Sequence, residues 1–213
     1  MRIRTRPNAG LTLVEGVVVL VIILGLAGFY LAAVSRGYTR SDGVRCVNQL
    51  KQVGLAFRLW ANDHGDQLPF AAPAPGGSSP YVNTPQVFRH FQVISNELVT
   101  PKLLVCPTDK SRSVAGNFTA LLNTNISCFV GLDAHEQDPR QMISGDRNIT
   151  GGAVGSGYPR VLTRTTEAGW TSDLHENSGN IALVDMSVHQ FSTNDLRKHL
   201  ASMTNAAIRL AVP

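Results

Sequence analysis

Leu11 to Val34 reads LTLVEGVVVLVIILGLAGFYLAAV, and these 24 residues hold a single charge, Glu15. At 1.5 Å per residue a helix of that length spans about 36 Å, enough to cross a hydrocarbon core of about 30 Å. The ten residues before it carry Arg2, Arg4 and Arg6 and no acid. Basic flanks stay on the cytoplasmic side, so residues 1–10 are expected in the cytoplasm and the chain beyond Val34 outside it. A secretory signal peptide is the alternative reading, with Leu31-Ala32-Ala33 as a weak cleavage site. Such peptides carry a shorter apolar region, about 7–15 residues, and no carboxylate within it.

Downstream, the apolar residues keep a helical period. Cys46, Leu50, Val53, Phe57 and Trp60 recur at steps of three and four, while Arg45, Lys51, Gln52 and Arg58 fall on other faces. One helix from 11 to about 62 would be about 78 Å long, with its first half in lipid and its second half supporting a head. The expected organisation is a leader at 1–10, a transmembrane part at 11–34, an amphipathic part at 35–62 and an extracytoplasmic head at 63–213.

A lone carboxylate near one end of a membrane helix is expensive and marks function by default. The junction Gly10-Leu11-Thr12-Leu13-Val14-Glu15 resembles the type IV prepilin cleavage and methylation motif: a small residue, a cut, an apolar first residue, and Glu fifth in the mature chain. Leu11 stands where the family usually has Phe, and the leader has no basic residue nearer the cut than Arg6. The resemblance implies that a prepilin peptidase cuts after Gly10 and methylates the new amine of Leu11. Glu15 would then pair with a neighbouring subunit's N-terminus during assembly, fixing axial register, because mispairing would strand a charge in hydrocarbon. The alternative is an ordinary signal anchor whose Glu15 snorkels to the interface. The stretch 48–56, followed by Trp60-Ala61-Asn62-Asp63, is similar to the second half of the spine in the major pseudopilin of type II secretion.

In the head, the proline- and glycine-rich run from His64 to Pro85 predicts a long surface loop without regular structure. Val87, Phe88, Phe91, Ile94 and Leu98 predict a short amphipathic helix. Leu103-Leu104-Val105 and Ile126–Val130 read as strands, and 145–178 as irregular and Gly-rich chain. Ile181–Val184 and Val188–Phe191 predict a hairpin. A last helix, capped by Thr193 or Asn194, would bury Leu196, Leu200 and Met203. The expected class is α+β: a long N-terminal spine on a small antiparallel sheet, a pilin-like head.

His175 and Asp185 are separated by nine residues, which resembles the H-x9-D-G signature near the C-terminal end of one prepilin-like family. The family's glycine suits a turn needing positive φ. Met186 stands there instead, and a Met in the left-handed region costs on the order of 1 kcal/mol, so a changed or longer turn is expected. Segments 104–109 and 129–134 also look like parts of these proteins.

Three cysteines in an exported chain allow one disulfide and one free thiol. Cys46, on the buried face of the spine, and Cys106, at the end of an expected core strand, are the candidate pair. Cys128 is the rival partner, and three reduced cysteines are the remaining possibility. Closing that loop of about 60 residues would contribute roughly 4 kcal/mol.

His135-Glu136 and His175-Glu176 lack the second His of a zincin. The resemblance to secretion pseudopilins implies that a structural calcium could sit in a C-terminal loop, and Asp133, Asp138 and Asp146 are oxygen donors read as lying in a loop region; without EF-hand spacing a solvated loop is the stronger reading. No cofactor is expected. Without the leader the balance is 16 basic to 15 acidic residues, with no basic stripe, so nucleic acid is not an expected partner. The expected function is a structural, non-enzymatic filament subunit of a type II secretion pseudopilus or type IV pilus-like assembly. Its partners would be prepilin peptidase, other pilin or pseudopilin subunits, the inner-membrane assembly machinery and the bilayer. It would sit as a single pass in a bacterial inner membrane, with a periplasmic or extracellular head. One competitor is an anchored binding protein that never polymerises; a second, weaker one is an anchored hydrolase using His175 and Asp185.

Overall fold

The computed structural model describes residues 12–154 and 158–213, without the side chains of residues 31–40 and 154. The chain divides into a unit ending at Ser41 and a unit Asp42–Pro213. Helix α1, Leu13–Asp63, starts in the first and ends in the second. Within the first unit every residue from 12 to 30 is exposed, and Leu13–Tyr30 is long and apolar enough to cross a membrane. Gly10 and Leu11 lie outside the described residues.

In the second unit the strands are β1 (Cys128–Gly131), β2 (Met142–Asp146), β3 (Ile149–Thr150), β4 (Ala153–Val154), β5 (Arg160–Thr163), β6 (Gly169–Trp170), β7 (Ser178–Leu183), β8 (Val188–Ser192) and β9 (Ala207–Ala211). Seven of them form one sheet in the order β4-β5-β9-β1-β2-β7-β8, with β3 and β6 as a separate pair. Every pairing is antiparallel. The class is therefore α+β, a long helix with an antiparallel sheet.

Side chains alternate between the two faces of a sheet, and both faces here are covered. Cys128, Val130, Ile143, Ala182 and Val184 join Leu50, Val53, Phe57 and Trp60 of α1 in one core. Phe129, Met142, Ile181, Leu183, Ile208 and Leu210 join Leu196 and Leu200 of helix α4, Thr193–Ser202, in the other. The unit has three layers, with the second part of α1 on one face of the sheet and α4 on the other. Cys46, Leu50, Val53, Phe57 and Trp60 are all buried, as their period requires.

Several segments differ from the sequence expectation. The stretch 64–85 is not a plain surface loop: Leu68, Phe70 and Ala72 reach the α1 core, and Phe57 meets the Phe70 ring edge-on at 6.2 Å. The expected strand at Leu103–Val105 is a 3-10 turn, Pro101–Leu104. Pro101 opens it, and the Thr100 side chain accepts the Lys102 N–H, which favours a helical start over a ladder. The expected short helix is two, α2 (Phe88–Val93) and α3 (Ser95–Leu98), with Val87, Phe91, Ile94 and Leu98 buried. Helix α4 is capped by Ser192, whose hydroxyl accepts the Asp195 N–H at 3.2 Å, one residue before the expected cap. Residues 145–178, read as irregular, contain four short strands and the end of β2. Ala207–Ala211, read as no element at all, lies between β5 and β1.

In the turn after β7, Met186 has φ +68°, so the methionine itself occupies the left-handed region. Asp185 stabilises the turn by accepting the Ser187 N–H at 2.9 Å and hydroxyl at 2.6 Å. The Met186 side chain also packs against the α1 core.

Candidate functional site

Three separated segments bring sulfur, imidazole and carboxylate together in the second unit. Cys46 comes from α1, and Cys106 follows the 3-10 turn that Pro101 starts. They form a disulfide with Cα atoms 5.0 Å apart. His175 lies in the turn before β7, with Nε2 3.6 Å from Cys106 Sγ. Asp146, the last residue of β2, places Oδ2 3.3 Å from the same Nε2. Thr108 Oγ1 lies 2.9 Å from Cys106 Sγ. Cys128 is a free, buried thiol. A small cavity beside the disulfide is bounded by Cys46, Gln49, Cys106, Ser127, Cys128 and Asp146.

Burial dominates the electrostatics. It pushes the Asp146 carboxyl up to about 7, against the two N–H groups of Asn180 that favour its charged form. It lowers the His175 imidazole from its ordinary value, so the ring is neutral at pH 7. It pushes the Cys128 thiol up to about 12, making it a small apolar side chain rather than a nucleophile. Asp109 behaves oppositely. Burial alone would raise it, but the Arg147 guanidinium and the Ser111 and Ser127 hydroxyls hold it at about 2. Arg147 grips that carboxylate with two N–H donors, at 2.7 and 2.9 Å.

This cluster regroups the residues singled out from sequence. His175 does not pair with Asp185, whose carboxylate takes Ser187, so no dyad forms across the hairpin. The three acids considered for calcium do not lie in one loop: Asp146 is on β2, Asp133 pairs with Arg209 at 2.6 Å, and Asp138 accepts from Thr204 Oγ1 at 2.5 Å. Sequence reasoning missed the partnership of Asp146 with His175 and the pair Asp109–Arg147. Separations of dozens of residues leave no local signal for either.

At the N-terminal end of α1, Thr12 and Glu15 bond reciprocally. The Thr12 N–H and hydroxyl donate to Glu15 Oε2 at 2.8 and 2.9 Å, and the Glu15 N–H donates to Thr12 Oγ1 at 3.3 Å. This is a capping box closing the first turn of α1. Its signal, Thr-x-x-Glu ahead of an apolar run, stands in the sequence. Compared with protein-family models, curated proteins and solved structures, the chain finds no match in any of the three.

Proposed function

We propose that this chain is a structural subunit of a filament of the type II secretion pseudopilus or type IV pilus-like kind. In this reading a prepilin peptidase cuts after Gly10 and methylates Leu11. The subunit waits in the bacterial inner membrane with its head outside, and assembles with copies of itself or related subunits. The observation that carries the reading is the double use of one helix. Residues 13–30 of α1 present apolar side chains on every face with none buried, while further along the same helix Leu50, Val53, Phe57 and Trp60 build the core of the head. A signal peptide that is removed has no reason to be continuous with the central core helix.

Glu15 supports the reading in a sharper form than its charge alone. In the capping box its carboxylate is turned toward the N-terminal side of the helix, where a neighbour's amine would have to be neutralised. The test separates capping from charge. Glu15→Gln keeps a capping-box residue but removes the charge; Glu15→Leu removes both. In a host supplying the assembly machinery, both variants should insert and be cleaved after Gly10, and both should lose sheared filaments. Gly10→Val should block cleavage, seen as a slower-migrating band. Filaments from Glu15→Gln at wild-type yield would end the charge-pair mechanism. A wild type that is never cleaved or assembled would favour the non-polymerising anchored binding protein.

A further inference from the structure

The sulfurs of Cys46 and Cys106 and a ring nitrogen of His175 all lie within 4.8 Å of one another. The cysteines are 4% and 6% exposed, and the His175 side chain is 7% exposed, so water competes weakly for any ligand there. The spacing matches metal chemistry. A thiolate at about 2.3 Å and an imidazole nitrogen at about 2.0–2.1 Å from a tetrahedral ion are about 3.6 Å apart, and a nitrogen and an oxygen ligand are about 3.3 Å apart. His175 Nε2 is 3.6 Å from Cys106 Sγ and 3.3 Å from Asp146 Oδ2. Two sulfurs, one imidazole and a neighbouring carboxylate form a donor set that suits zinc among the common divalent ions.

We propose that the reduced protein binds one zinc ion through Cys46, Cys106 and His175, with Asp146 as the nearest fourth donor. Oxidised and metal-bound forms exclude each other, because two thiolates on one tetrahedral zinc stand about 3.7 Å apart, far beyond a sulfur–sulfur bond. The exchange is balanced. A dithiol delivers two electrons and two protons to the disulfide and is itself closed to a disulfide. The ion then displaces both thiol protons to solvent and is neutralised by the two thiolates. The disulfide ties α1 to the Cys106 segment across 60 residues of chain, and the metal would tie the same two segments together with the His175 turn, so it would preserve the staple when the sulfur bond is open. This holds whether or not the chain assembles.

The experiment uses the full chain in detergent, reduced with a phosphine, which takes oxygen from water and does not itself supply competing thiols. Cobalt(II) is the probe, read by thiolate-to-cobalt charge transfer in the near ultraviolet and tetrahedral bands in the visible. The reduced wild type should take up about one cobalt per chain and give it up to zinc, while the oxidised form shows no thiolate bands. His175→Ala should weaken cobalt binding at least about tenfold, and Cys128→Ala should leave it unchanged. Circular dichroism controls for unfolding: if reduction loosens the head, added cobalt should restore the native spectrum. Reduced protein without thiolate bands, cobalt that fails to restore a loosened head, or binding indifferent to His175→Ala would each overturn the proposal.

Discussion

Asp146 Oδ2 lies 3.3 Å from His175 Nε2 and also accepts the main-chain and side-chain N–H groups of Asn180, at 2.7 and 2.9 Å. Burial nevertheless holds this acid protonated up to about pH 7, above its ordinary 3.8. An acid whose folded pKa is raised contributes stability that is fully present below its unfolded pKa and is lost as pH rises toward the folded one. Relative to Asp146→Asn, the wild type should therefore lose up to tenfold in its folding constant per pH unit between about 4 and 7, and nothing further above 7. His90, held at about 4 by burial, acts in the opposite direction over about 4 to 6.5, but in both proteins alike. Urea melts from pH 4 to 8 check the difference. Parallel curves would mean that the carboxylate is ionised in the fold.

Val99 ends helix α3 at φ +64° with 82% of its surface exposed. A β-branched residue is strained in the left-handed region and has no packing to lose here. Val99→Gly should raise stability by about 1 kcal/mol, read as a higher urea midpoint at unchanged slope.

Two glycines should answer oppositely to alanine. A methyl on Gly54, inside α1, would meet Met186 Sδ at 3.7 Å and Ala182 Cβ at 3.8 Å, ordinary contact distances. Gly54→Ala should stabilise by about 0.5–1 kcal/mol through helix propensity. A methyl on Gly77 would stand 2.1 Å from the Ala72 carbonyl oxygen. Gly77→Ala should destabilise by about 1–3 kcal/mol. Thermal melts of the two variants should bracket the wild type.

Removing the disulfide by Cys106→Ala should cost about 3–4 kcal/mol with a chelator present, from the loop-closure entropy of its 60-residue span. Equal urea midpoints for the variant and the oxidised wild type would show that the bond adds nothing to the fold.

The period of Cys46, Leu50, Val53, Phe57 and Trp60 made the buried face of α1 legible, and the apolar run Ile181–Val184, set off by a short turn from Val188–Phe191, did the same for β7 and β8. Leu196, Leu200 and Met203 marked α4 for the same reason. What stayed hidden has a common physical character. Ala-Ile-Arg-Leu-Ala is too short and too helix-prone to announce a strand, and only pairing with β1 and β5 makes it one. β3, β4 and β6 have two residues each, less than any period can register. Leu68 and Phe70 sit among prolines and glycines, whose signal for turns is strong but says nothing about depth. The sulfur–imidazole–carboxylate cluster depends on how α1, β2 and the turn before β7 meet, which no local pattern encodes.

The position of β9 sets an order of events in a chain that emerges N-terminus first. Asp133, just beyond β1, is clamped by the Arg209 guanidinium from a point 76 residues later, and β9 fills the gap between β5 and β1. Until that late segment arrives, β1 and β5 both present open hydrogen-bonding edges, the kind of surface that recruits a second chain. An internal strand of the sheet is thus the closing piece of the head. A ribosome that stalled before residue 207 would release a sheet in two incomplete halves, and the hazard of misassembly would fall in the interval before β9 is made.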